Sequence, residues 1–404
     1  MASRTAAATH GGPGQDPEDF SLVLGGPLFQ LMRRAHLSDD ALSLQRRRIV
    51  VIALVAWLPL LLLSAIDGQL LGGGAAVPFL LDVEVHAKFL LVVPLLIAAE
   101  LVVHQRMRSL GKVFRDRQLV PQVAESQFDA AIASAYRLRN SVTAEVLLIA
   151  FVYVVGIMLV WRHYMALDTS TWYATAATDG SRLTPAGMWY GFVSLPFFQF
   201  LLLRWYFRLF IWTRLLWHVS RIELQLVPTH PDRAGGLAFV STMVHAFIPL
   251  LMAHGALFAG NLANRIFHLG SRLPQYRLEI LLLVLVLLLL ILGPLAVFAP
   301  QLARTKRKGL REYGTLAQRY VREFDTKWLR GGAPADEALM GSGDIQSLAD
   351  LGNSFEVVRS MRVMPVTRDA ILQLTMATLA PIAPLVLTIM PLEDLLRKLF
   401  GMLF

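Results

Sequence analysis

Six ionisable side chains lie within or at the ends of long apolar stretches of this chain: Glu100, Glu145, Arg204, Arg208, Arg214 and His245. A charge left in hydrocarbon costs at least about 2.5 kcal/mol on insertion scales, so such groups pair with one another or line a wet cavity. Counted from the Arg-rich ends of their segments, all but Arg214 fall at a similar depth. Opposite charges at matched depth on different helices can pair, which predicts Glu100 with Arg204 first and Glu145 with Arg208 second. The plainer alternatives are that Glu145 and Arg208 snorkel to the interface and that His245 is a packing residue. At about 100° per residue, Arg204, Arg208, Arg214, His218 and Arg221 share one side of a helix. Several copies around an axis would make that stripe a positive vestibule for anions, whereas facing lipid it would hold headgroup phosphates.

A second group of candidates is consecutive. Pro228-Thr229-His230-Pro231-Asp232-Arg233-Ala234-Gly235-Gly236-Leu237 precedes an apolar segment. Gly235 and Gly236 permit close backbone approach at a helix N-terminus, where free N–H groups favour anions, and Thr229, His230 and Arg233 could add donors. A phosphate headgroup or inorganic anion would suit such a loop. Thr229 or Asp232 acting as a cap, with Pro231 in the first turn, explains the same residues structurally. His230 and Asp232 are too few for a metal site, and no cofactor motif accompanies them.

The elements that must position these residues are membrane helices. A spanning helix needs roughly 20 apolar residues, and Ile49 to Ile66, Phe89 to His104, Val142 to Trp161, Met188 to Trp205, Leu237 to Leu262 and Ile280 to Phe298 meet this. A seventh, Ile371 to Met390, is interrupted by Pro381 and Pro384 and reads as a kinked span or a re-entrant hairpin. The expected fold is all-α and integral to the membrane, with about seven transmembrane helices plus interfacial and cytoplasmic amphipathic helices. Loops alternate between Arg-rich and Arg-poor, and the Arg-rich ones stay inside. That places the N-terminus in the cytoplasm and, if the seventh segment crosses, the C-terminus outside.

The resulting organisation is a disordered stretch 1–19, a cytoplasmic interfacial segment 20–48, six helices over 49–302, a cytoplasmic helical segment 303–368, and the seventh helix with an amphipathic tail over 369–404. Phe20 to His36 reads as an interfacial helix interrupted at Gly25, Gly26 and Pro27. Leu310 to Leu329 and Ile345 to Met364 read as two amphipathic cytoplasmic helices. The excess of 38 basic over 29 acidic residues falls on loops beside an anionic inner leaflet, so it calls for no nucleic-acid partner. Zero cysteines exclude disulfides and thiolate chemistry.

The strings PTHPDRAGGL, LLVVPLLIAAE around Glu100 and GSGDIQSLADLGNSFEVVRSMR before the last span resemble an uncharacterised family of bacterial multi-pass inner-membrane proteins. That resemblance implies a bacterial inner-membrane location and no activity. HExxH, G-x-S-x-G and Walker patterns are missing, and His245 or His254 has no serine partner at a diagnostic spacing, which weighs against an enzyme. The sequence therefore favours a passive, homo-oligomeric ion channel or channel-like carrier, anion before cation, with Arg204, Arg208 and Arg214 concentrating the ion and Glu100 holding Arg204. A membrane enzyme or headgroup-binding protein using His230 to Gly236 stands second, and a membrane sensor or interaction protein third.

Overall fold

A computed structural model describes residues 20–27, 30, 44–72, 75–161, 171–177 and 180–389. Five helices are long and apolar enough to cross a membrane: α1 (Gln45–Ile66), α2 (Val83–Asp116), α5 (Pro185–Val219), α6 (Ala238–Leu269) and α7 (Leu273–Leu329). The pair α3 (Gln122–Arg139) and α4 (Val142–Gly156), bent by 46° at its joint, makes a sixth if it is one span. The chain is thus a multi-pass helical membrane protein. Its one sheet among the described residues is a hairpin of β1 (Ala174–Ala177) and β2 (Gly180–Leu183), with Ala174 opposite Leu183. Apolar side chains cover the outer surfaces of α1, α4 and α7, where Val55, Leu147 and Leu289 are exposed as lipid-facing residues would be.

The seventh expected span takes a different form. It starts as α9 (Arg368–Leu379), turns at Ala380 and Pro381, and resumes as a 3₁₀ segment, Ala383–Thr388. Prolines at 381 and 384 remove the N–H groups that would have continued the α-helical ladder. This segment is held against α6 at very short range: a Cβ at Gly255 would come within 2.1 Å of the Thr378 carbonyl oxygen. Small residues permit such backbone approach in membranes, where packing and not water exclusion drives association.

Two further expectations change. Leu310 to Leu329 is no separate helix but the far end of α7, which at about 1.5 Å per residue outreaches a bilayer and packs there against α8 (Gly343–Arg359). The start of the supposed interfacial helix is not helical: Phe20 to Leu24 run as a bent, buried segment. Ser21 Oγ accepts from the Val23 and Leu24 N–H groups at 3.2 and 3.0 Å, and the Phe20 N–H donates to the Arg108 carbonyl at 2.9 Å. Those local bonds replace the helical ladder. Gly25 and Gly26 follow with φ of 133° and 90°, which only glycine adopts readily. Pro27 and Gln30 are helical, with the Gln30 N–H donating to the Gly26 carbonyl at 3.1 Å; residues 28–29 and 31–36 of that stretch, the 1–19 stretch and the tail beyond Ile389 lie outside the described residues.

Candidate functional site

Two clusters of charge lie inside the bundle, both anchored on α2. The first is built around Glu100. Its carboxylate accepts from Arg208 at 2.7 Å and Arg204 at 3.4 Å, both on α5, and from Arg48 on α1. Arg204 also faces Glu145 of α4 at 3.4 Å. Glu100 and Arg204 thus meet as their matched depth suggested, but the second pair is exchanged, because Glu100 takes Arg208 and Glu145 takes Arg204. All five are buried, with Arg48 the most enclosed. Arg204 and Arg208 are therefore turned into the bundle, whereas Arg214 and His218 farther along the stripe are half-buried and Arg221 is exposed. Arg214, farther along α5, donates to Ser134 of α3 at 2.7 Å.

This first cluster is tightly closed. Trp205 on α5 donates to the Leu96 carbonyl at 2.9 Å, and Arg208 stacks on Trp205 at 4.7 Å. Gly26 lies against it: a Cβ there would approach Glu145 Oε1 at 3.1 Å and Arg204 at 3.8 Å. Arg139 donates to the Ser21 carbonyl at 2.6 Å, and the Phe20 ring stacks on Tyr136 at 5.6 Å. Three guanidinium groups and two carboxylates, knotted together and plugged by the Phe20 segment, join α1, α2, α4 and α5 at one depth.

His245 stands apart, with Nδ1 donating to the Thr242 carbonyl at 2.9 Å and no ion pair among the described residues. His254 is held between two partners, Nδ1 against the Leu250 carbonyl and Nε2 against the Tyr206 hydroxyl, each at 2.7 Å. Neither contacts a serine among the described residues, so no nucleophile and base pair forms.

The His230 to Gly236 loop spends its own donors. Asp232 Oδ1 accepts from the N–H groups of Ala234 and Gly236 at 2.8 and 3.1 Å, and Oδ2 from Ala238 at 3.0 Å. Burial would raise this carboxyl, but those three bonds and nearby His230 outweigh it and hold Asp232 below the ordinary carboxylate value. An anion would find these amides already occupied by Asp232. Arg117 donates to the Gly236 carbonyl and Arg362 to that of Asp232, which ties the loop to α2 and to the chain after α8. Arg233 and Gly235 take φ of 54° and 64° to make the turn. Thr229 lies near Tyr313 of α7 at 3.5 Å.

The second cluster was not among the sequence candidates. At the other end of α2, Lys88 donates to Glu84 at 3.1 Å and to the Tyr190 hydroxyl at 3.0 Å. Beside them Asp82 accepts from Trp172 Nε1 at 2.8 Å and Asn264 Nδ2 at 2.7 Å, and Glu84 accepts from Asn261 at 3.1 Å. These groups wall a cavity of about 320 Å³ that reaches down to Gln199 on α5. Lys88 belongs to a π-helical turn, Ala87–Val92, and Tyr190 opens another, Tyr190–Ser194. A third, Val152–Trp161, carries Gly156, against which the Gln199 side chain rests. Single π turns inside α-helices are rare and recur at functional sites. Gly260 completes the wall: a Cβ there would come within 2.8 Å of Ala87 and 3.2 Å of the Glu84 backbone, so glycine lets α6 bring Asn261 and Asn264 to the carboxylates.

Lys88 was overlooked because it falls between a loop ending at Ala87 and an apolar window starting at Phe89. The available signal was the i,i+4 pair Glu84 and Lys88 at the head of a span, opposite Asn261 and Asn264 at i,i+3 on another. Comparison with protein-family models, curated proteins and solved structures gives no match.

Proposed function

We propose that this chain is a membrane transport protein that takes a small charged or strongly polar solute into the Lys88 cavity and passes it along α2 and α5 within one protomer. The observation that carries the reading is a cavity inside a membrane bundle lined by Asp82, Glu84, Lys88, Asn261 and Asn264. Ionisable groups at such depth mark solute or ion pathways, and ligand cavities begin at about 300 Å³. Gln199 at its floor lies five residues before Arg204, about 7.5 Å along a helix. The Glu100 cluster is then the inner closure of the route, with Phe20 to Gly26 seated on it. The Arg-rich loops support a cytoplasmic N-terminus in a bacterial inner membrane, and α9 with Ala383–Thr388 serves as a broken seventh crossing. A homo-oligomer is compatible with this route, which needs no shared axis and so replaces the basic vestibule between copies.

The test is electrical. Proteoliposomes on a solid-supported membrane are challenged with concentration jumps of ammonium, choline, potassium and acetate salts. A transient current for at least one of them, lost in Gln199→Leu, supports the reading. Currents that Gln199→Leu leaves unchanged contradict a route through this cavity.

A further inference from the structure

We infer that the Lys88 cavity is a binding site for a small organic cation, a protonated amine with a short apolar body. This names the solute class of the transport reading above and rests on it for the site's use, though the binding itself can be tested alone.

Charge comes first. Asp82, Glu84 and Lys88 line the cavity, two carboxylates against one ammonium, and Lys88 is the sole cation among its described lining residues. One negative charge is left for the occupant to balance. Unfilled hydrogen-bond capacity points the same way. Asp82 Oδ1 can only accept, so its 2.7 Å contact fixes the Asn264 amide with Nδ2 toward Asp82. Among the described residues the Asn264 oxygen is then a buried acceptor with no partner, and the Gln199 oxygen is a second. Buried polar atoms without partners are costly, and a donor-rich ligand relieves them. An anion would meet one lysine, two of whose three N–H groups already serve Glu84 and Tyr190, and two carboxylates that repel it.

Size and lining give the rest. About 320 Å³ is roughly ten times the 30 Å³ share of one liquid water, more than a bare ion fills. No group of three acidic or histidine side chains among the described residues is placed to hold a metal. Val85, Leu195 and Trp172 supply apolar wall beside the polar groups. The half-buried Tyr173 ring, edge-on to the enclosed Trp172 at 5.2 Å, adds an aromatic surface of the kind that favours organic cations. In this arrangement the ammonium lies among Glu84, Asp82 and the Asn264 oxygen, and the alkyl body rests on Tyr173 and Leu195.

The experiment is thermal unfolding of the purified full chain in nanodiscs at matched ionic strength. Ethyl-, propyl- and butylammonium chlorides are titrated beside sodium acetate, propionate and butyrate and the matching alcohols. The expected result is a saturable rise in midpoint with the ammonium salts alone, with affinity lowered at least tenfold in Glu84→Gln. A rise with the carboxylates, no rise with any ammonium salt, or an ammonium effect that Glu84→Gln leaves intact overturns the assignment. Should Glu84→Gln fold poorly, Gln199→Leu replaces it, with the same loss expected. Ammonium binding without any current in proteoliposomes keeps the ligand class and sinks transport; current from another solute with no ammonium binding does the reverse.

Discussion

The Glu100 cluster and the Lys88 cavity are built from the same materials and differ in how they are filled. Each puts a buried charge on α2, Lys88 in one and Glu100 in the other, twelve residues and about 18 Å apart along the helix. Around Glu100, three arginines face two carboxylates, and a tryptophan and the Phe20 segment enclose the one surplus positive charge with them. Around Lys88 the surplus is one carboxylate, and it is left beside open volume and two amide oxygens that have no partner among the described residues. A buried charge in a membrane is thus not a functional signal by itself. Unfilled space and unspent hydrogen-bond capacity beside it separate a site from a staple.

The largest effect that would break this contrast concerns Glu100. Glu100→Ala removes the carboxylate that Arg48, Arg204 and Arg208 share and leaves Arg204 with Glu145 alone; removing one partner of a buried pair costs about 3–5 kcal/mol. The variant is expected to lose the folded state in detergent, read by thermal unfolding and size exclusion. A well-folded Glu100→Ala would mean that the cluster is wet and open, much closer in character to the cavity.

Gly260→Val comes next. Its side chain would collide with Ala87 and the Glu84 backbone, and overpacking of this kind costs about 1–3 kcal/mol. Binding of butylammonium should be lost even where the protein remains folded, whereas Gly270→Ala, which meets no neighbour within 4 Å, is expected to leave it. That pair sharpens the comparison by separating the cavity's geometry from general fragility.

A smaller effect is expected at Asp232. Asp232→Asn weakens the cap on Ala234, Gly236 and Ala238, at a cost of about 1 kcal/mol, and should leave solute currents unchanged. Because the folded carboxyl is held below its ordinary value of 3.8, its contribution is full above that value and is lost as pH falls through the lower folded one. The wild-type chain should therefore lose stability relative to Asp232→Asn only in strong acid, as midpoints measured between pH 6 and pH 3 would show.

How far the molecule could be read without coordinates follows from the same contrast. Hydropathy places α1, α2, α4, α5, α6 and α7 because their apolar windows are long and continuous, and counting depth brings Glu100 to Arg204. Arg48 escaped because it looks like a loop charge, yet it enters α1 and turns inward as the third partner of Glu100. The α5 stripe was legible as a stripe, but periodicity states which residues share a face and not what that face meets. The pairing of Glu100 with Arg204 was foreseen, but not that one carboxylate would gather Arg48, Arg204 and Arg208 together. The cavity was the hardest to see. Its residues come from the loop before α2, the head of α2, the hairpin region, α5 and α6, and the π turns that aim Lys88 and Tyr190 have no periodic signature.

The central claim is that solute passes through the Lys88 cavity while the Glu100 cluster holds the helices together and closes the inner end of the route. Lys88→Met tests it most directly, since Glu84 is partly exposed at 31% and keeps Asn261 as a donor, so the variant should fold. Concentration-jump currents from proteoliposomes of wild type and Lys88→Met, with Asp232→Asn as control, are the measurement. The account predicts currents from wild type and Asp232→Asn and at least a tenfold change, up or down, in a folded Lys88→Met; equal currents from all three would contradict it.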